Sequence, residues 1–251
     1  MSFGEVLALA LAGLGAGTIN TVVGSGTLIT FPVLLAFGYA PVTANVSNTV
    51  GLVPGSLSGA LGYRRELAGQ RSRAIRLGSM SLLGGATGAV LLLVLPASAF
   101  EAIVPVFIAI ALVLTVLQPR LKLWLDRREL DLDGRGALLL PLAIYLVGVY
   151  GGYFGAAQGI LLLAILGVAL AQDLHRTNAL KNVLAGLVNG VAAVYFIFAA
   201  HVDWGPAAVI AASSILGAQL GARYGRRLSP AALRAVIVLV GTSAIVRLLL
   251  T

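Results

Sequence analysis

Displaced by 133 positions, the chain overlays on itself without a gap. Gly15 falls on Gly148, Gly26 on Gly159, Asn45 on Asn178, Gly84 on Gly217 and Gly88 on Gly221. Glycine and asparagine are poor residues for helix interiors, so their return at one spacing within apolar sequence marks a duplication. Whatever one half folds into, the other half folds into as well. Both must also bury the same awkward positions.

The solvent around those halves follows from composition. Of 251 residues, 59% are hydrophobic and 10% charged, where soluble domains carry about 25% charged residues. The apolar stretches 74–95, 100–117, 138–153, 183–200, 206–222 and 231–250 mostly approach the roughly 17–25 residues of a bilayer-spanning helix. Alternation of the β-barrel kind is absent. The expected fold is an all-α polytopic membrane protein with five helical segments per half. They fall at 4–23, 26–40, 43–62, 74–95 and 99–118, then at 136–156, 158–171, 176–200, 205–223 and 230–250. This divides the chain into repeat one (1–118), a cytoplasmic linker (119–136) and repeat two (137–251). The opening stretch lacks a basic n-region and carries Glu5, so it reads as a retained first segment rather than a cleaved signal.

The net charge of +8 reports orientation. Lys and Arg gather at Arg64, Arg65, Arg71, Arg73 and Arg76, at Arg120, Lys122, Arg127, Arg128 and Arg135, and at Arg223, Arg226 and Arg227. Connections 96–99 and 201–205 hold none. The positive-inside rule makes the basic loops cytoplasmic. A nucleic-acid surface would instead need a basic patch with aromatics on a soluble fold, so no nucleic acid is expected as a partner. With these sides assigned, repeat one ends inside and repeat two ends outside, which is an inverted-topology duplication of the secondary-transporter kind. The assignment requires the first two segments of each repeat to make an even number of crossings. Their glycines (Gly13, Gly15, Gly17, Gly24 and Gly26; Gly148, Gly151, Gly152, Gly155 and Gly159) fit a broken or re-entrant hairpin. Close small-residue helix packing is the other reading.

The third segment of each repeat carries a polar stripe. Asn178, Lys181, Asn182 and Asn189 share one helical face, and their counterparts are Asn45, Asn48, Thr49 and Ser56. Interhelical hydrogen bonding accounts for a single Asn, at about 0.6–2 kcal/mol; two stripes in register point to a lined pathway. Lys181 either snorkels to the headgroups or faces inward toward an anion, since Asn48 supplies no carboxylate opposite it. Helix starts at Ser25, Gly26 and Thr27, and at Gln158 and Gly159, offer backbone N–H groups and a positive dipole end to an oxyanion. Asn20 adds an amide. No Cys, only two His and no acidic pair within the apolar segments leave no candidates for a metal centre or acid–base catalysis, so neither an enzyme nor a cofactor is implied.

The stretch GAGTINTVVGSGTLITFPVLLAFGYAPVTANVSNTV, with GVYGGYFGAAQGILLLAILG and TNALKN in the second half, resembles the sulfite exporter TauE/SafE family. The resemblance rests on the Gly-rich break, Pro32 with Leu34 and Leu35, Gly38, and Ala44–Thr49, and it covers essentially the whole chain. It implies transport of sulfite or small organosulfonates such as sulfoacetate across the cytoplasmic membrane. Repeat two departs from the pattern: Ile165 stands opposite Pro32, and the break AAQG is poorer in glycine. The expected function is therefore an inner-membrane exporter of a small sulfur oxyanion or sulfonate, working by alternating access. The substrate would be held by Asn20, Ser25, Gly26, Thr27, Asn45, Asn48, Thr49, Gln158, Gly159, Asn178, Lys181 and Asn182. A channel or carrier for another solute, including a cation on the Asn and Thr oxygens, is the alternative.

Overall fold

A computed structural model describes residues 1–125, 136–170, 172–225 and 230–250. Within them the chain forms ten helices and no strand. In order these are α1 (Phe3–Val22), α2 (Thr27–Ala36), α3 (Pro41–Gly62), α4 (Arg71–Val94), α5 (Ala97–Leu125), α6 (Gly136–Tyr153), α7 (Gln158–Ala169), α8 (Leu174–Ala199), α9 (Trp204–Tyr224) and α10 (Pro230–Leu250). In lipid every backbone N–H and C=O must be satisfied within the protein, and the helix does this within one segment. Five of the helices are long and apolar enough to cross a membrane.

Each expected segment is a helix, and the ends have local causes. Ser2 and Glu5 form a reciprocal capping box at the start of α1, and Pro41 opens α3, where its missing N–H costs nothing. The second segment stops at Ala36 rather than 40, because Gly38 takes a left-handed conformation (φ 87°). The fifth runs on through Pro119 to Leu125, so the first part of the expected linker is helical. Linker residues 126–135, with Arg127, Arg128 and Arg135, lie outside the described residues, as do Arg226 and Arg227.

Packing joins the halves to each other rather than each half to itself. A shift of 133 carries α1 onto α6, α3 onto α8 and α4 onto α9. The most extensive contacts are α1 on α9 and α4 on α6, the same pairing made twice between opposite halves. Contacts of α3 on α9 and α8 on α4 repeat the theme, and α3 packs on its own counterpart α8. There Asn189 Nδ2 donates to Ser56 Oγ at 3.3 Å, between matched residues.

The recurring glycines lie in these seams. A Cβ on Gly84 would sit 2.9 Å from Gly148 Cα, and one on Gly217 would sit 2.8 Å from the Leu14 carbonyl carbon. The helices touch backbone to backbone, as small residues in membrane helices allow. The outward surface is apolar, with Phe198, Leu239 and Val94 at 86%, 75% and 71% exposure. A contiguous apolar exterior of this kind fits a lipid environment.

The seams make a sharp prediction. Gly84→Ala or Gly217→Ala should lower stability by about 1–3 kcal/mol through overpacking. Gly190→Ala, where a Cβ meets nothing within 4 Å, should be neutral or slightly stabilising. Thermal unfolding of the detergent-solubilised variants reads the difference.

Candidate functional site

The breaks after α1 and α6 both turn through left-handed backbone, the second at two residues, Gly155 (φ 76°) and Ala157. Gly24 (φ 91°) and Ala157 (φ 58°), 133 residues apart, both take left-handed backbone conformations. Glycine does so freely, whereas alanine bears about 1–2 kcal/mol of strain, which the surrounding packing must offset. The two breaks touch. Gly159 N–H donates to the Gly24 carbonyl at 2.9 Å, and a Cβ on either glycine would run into the other's backbone.

Breaking a helix strands its last carbonyls, and here the opposite half supplies the donors. Val23 and Gly24 N–H both donate to Ile19 O, leaving the Asn20 and Thr21 carbonyls to other partners. Lys181 Nζ reaches them at 2.9 and 3.3 Å. Asn178 Nδ2 and Asn182 Nδ2 join at Thr21 O at 3.1 and 3.3 Å. The ammonium thus sits at the negative end of the α1 dipole. At the end of α6 the mirrored act is smaller: Asn45 Nδ2 donates to Tyr153 O at 2.9 Å. Asn48, which matches Lys181, turns to its own half, accepting from Thr30 Oγ1 and donating to Thr27 Oγ1 at 3.5 Å. Thr49 Oγ1 bonds back to Asn45 O at 2.9 Å.

Around the touching breaks lie five buried side-chain atoms without a hydrogen-bond partner: Ser25 Oγ, Asn45 Oδ1, Tyr153 OH, Gln158 Nε2 and Asn178 Oδ1. The Gln158 amide lies over Gly151, where a Cβ would clash with it. An unpaired buried polar group costs about 1–3 kcal/mol, so each of these atoms calls for a partner, solvent or solute. Against them stands an aromatic wall. Phe154 packs within 5.9 Å of Phe31, Phe100 and Phe107, and Tyr153 within 6.1 Å of Phe100 and Phe107.

A family model described as sulfite exporter TauE/SafE matches residues 9–248. The chain belongs to the sulfite exporter TauE/SafE family. It is 27% identical over 238 residues to the probable membrane transporter protein YfcA of Escherichia coli K12, covering 93% of this chain and 86% of that protein. It is 28% identical over 253 residues to the probable membrane transporter protein ORF9 of a Sinorhizobium species, covering 99% and 94%. It is also 28% identical over 217 residues to a probable membrane transporter protein of Haemophilus influenzae, covering 84% and 81%. No solved structure matches it significantly. With five apolar spans, this TauE/SafE member is a multi-pass membrane transporter.

Of the residues named from sequence, Ser25, Asn45, Asn48, Gln158, Asn178, Lys181 and Asn182 are buried together with Thr49, and the contacts above tie them to the two breaks. Lys181 does not snorkel; its head is buried on the α1 carbonyls. The Asn20 and Thr21 carbonyls are its hydrogen-bond partners. The two helix starts differ. Gln158 N–H is used by Gly155 O and Gly159 N–H by Gly24 O, whereas the N–H groups of Ser25, Gly26 and Thr27 reach no loop or cap carbonyl. Asn20 contributes its carbonyl. Tyr153 and the aromatic wall escaped sequence reasoning. Their signal was present as a mismatch, since Tyr150, Tyr153 and Phe154 stand where the first half has Gly17, Asn20 and Thr21.

Asp173 caps α8, the helix that carries Asn178–Asn182, and accepts from His175 N and Arg176 N. The Arg176 N–H bond first, and the His175 N–H bond after it, hold its carboxyl below the usual value. Depression of a folded-state carboxyl pKa stabilises above the unfolded value of about 3.9. That stabilisation is lost as pH falls through the lower folded value. Asp173→Ala should therefore melt below the wild type at neutral pH, and the gap should close in strong acid. Asn45→Ala, which strips Tyr153 O of its side-chain donor, should cost about 1–3 kcal/mol. Asn182→Ala should cost less, because Thr21 O keeps Lys181 and Asn178. Melting curves of the two variants in detergent test the ranking.

Proposed function

We propose that this protein exports sulfite or a small organosulfonate across the cytoplasmic membrane by alternating access, with the anion held between the halves near the midplane. The observation that carries the reading is the set of unpartnered buried donors on the two break segments, Ser25 Oγ, Tyr153 OH and Gln158 Nε2, together with the buried Lys181 ammonium at the end of α1. An oxyanion takes several donors at once, and charge-assisted hydrogen bonds are the strong ones. Open N–H groups at Ser25, Gly26 and Thr27 add the positive end of α2. Asn20, Asn45, Asn48, Thr49, Gly159, Asn178 and Asn182 complete the surround, chiefly by holding the helix ends in place.

In this reading residues 1–118 and 137–251 are inverted repeats, joined by a cytoplasmic linker, and α1–α2 and α6–α7 are hairpins entering from opposite faces. Support comes from the open ends of the hairpins. Tyr39 OH donates to Glu5 Oε1 at 2.5 Å, and Asp203 N–H donates to Ser47 Oγ at 2.8 Å, gathering one end that carries Glu5 and Asp203 and no Lys or Arg from the 201–205 connection. Arg73 Nη1 donates to Gln172 Oε1 at 3.3 Å, and Arg176 Nη2 to Ala68 O at 3.0 Å, gathering the basic end that the charge rule puts inside. The competing reading, a cation on side-chain oxygens, draws on the unpartnered Asn45 Oδ1 and Asn178 Oδ1. It is disfavoured because Asn178 and Lys181 share Thr21 O, which sets a cation at Asn178 beside an ammonium.

Purified protein in liposomes should carry sulfite or a C2 sulfonate down an imposed gradient. Lys181→Met should lower that flux at least about tenfold, the worth of one charge-assisted contact of 1.5–3 kcal/mol. Flux of no sulfur oxyanion under any gradient, or unchanged flux in Lys181→Met, rules the reading out.

A further inference from the structure

Asn45 and Asn178 are matched residues that do the same thing in opposite directions. Each gives its amide N–H to a carbonyl at the broken end of the other half's helix, Tyr153 O for Asn45 and Thr21 O for Asn178. That bond fixes which way the amide lies, since a flip would set oxygen against oxygen. Each is therefore left with its Oδ1 buried and unpartnered, at 1% and 6% residue exposure. A fully ionised oxyanion satisfies the donors of this region and repels these two oxygens. A metal cation satisfies the oxygens but meets Lys181, whose Nζ lies 3.3 Å from the same Thr21 O that Asn178 holds. What satisfies both sets is a monoanion bringing its own hydrogen-bond donor.

We infer that Asn45 Oδ1 and Asn178 Oδ1 are specificity-determining acceptors, which select a donor-bearing monoanion such as hydrogen sulfite or a hydroxyalkylsulfonate over a donor-free anion of equal charge. The inference rests on the sulfur-oxyanion reading above and narrows its substrate class. The logic is that of sites built to bond a substrate hydroxyl: an analogue lacking it leaves buried polar groups unpaired and is rejected far more strongly than one lacking a methylene.

The test uses the full-length wild type and two ligands matched in charge and nearly in size, 2-hydroxyethanesulfonate and ethanesulfonate, at one pH. Calorimetric binding in detergent and competition against sulfite flux in liposomes provide the readouts. The hydroxyl compound should bind at least about tenfold tighter, and Asn178→Ala should bring the ratio toward one. Equal affinities with sulfite still carried would mean that water satisfies the two oxygens; this overturns the inference and leaves the transport reading intact. A sodium requirement for flux without preference between the ligands assigns the oxygens to a cation and also overturns it. Binding and flux of no sulfur oxyanion removes the transport reading and the inference together. A poorly folding Asn178→Ala leaves the wild-type comparison decisive.

Discussion

The contact of Gly24 with Gly159 is the constraint on which the rest of the molecule depends. Two helix breaks cannot meet backbone to backbone unless both positions lack a side chain, and glycine stands at both. Interrupting a helix among apolar neighbours exposes carbonyls that lipid cannot hydrate, so such a break survives only where the protein satisfies it. Here the satisfaction is reciprocal. The second half supplies Asn178, Lys181 and Asn182 to the end of α1, and the first supplies Asn45 to the end of α6. Each break also makes bonds of its own, such as Tyr150 OH to Ala156 O, and the most extensive helix packing likewise runs between halves.

Reciprocity does not mean equivalence. The end of α1 receives an ammonium and two amides, whereas the end of α6 receives one amide and is walled by Phe31, Phe100, Phe107 and Phe154. The first break turns through one left-handed residue, Gly24, and the second through two, Gly155 and the strained Ala157. One helix start keeps its N–H groups open and the other has used them. A polar, basic side and an aromatic side thus face each other across a seam held by Gly24 and Gly159.

Much of the architecture was legible because lipid leaves few choices. Long apolar runs have to be helices, and the ten segments lie within a few residues of their expected bounds. The exceptions have plain causes: Gly38 ends α2 early, and Pro119 interrupts the sequence pattern without ending α5. The stripes were legible as well, since i, i+3 and i+4 spacing sets residues on one face wherever the helix goes. Their partners were not. That Asn45 would reach Tyr153, 108 residues away, depends on how two breaks dock, and no local periodicity encodes that.

Sequence alone therefore determined the class, the duplication, the breaks and the polar faces, because each follows from local backbone and solvation physics acting on a single segment. Tertiary structure decided what those faces do. It buried the Lys181 head, with the Asn20 and Thr21 carbonyls as its hydrogen-bond partners. It closed one of two helix starts, and it left five polar atoms unpaired beside an aromatic wall. Those outcomes depend on distances between segments more than a hundred residues apart, and such distances exist only after the halves have packed.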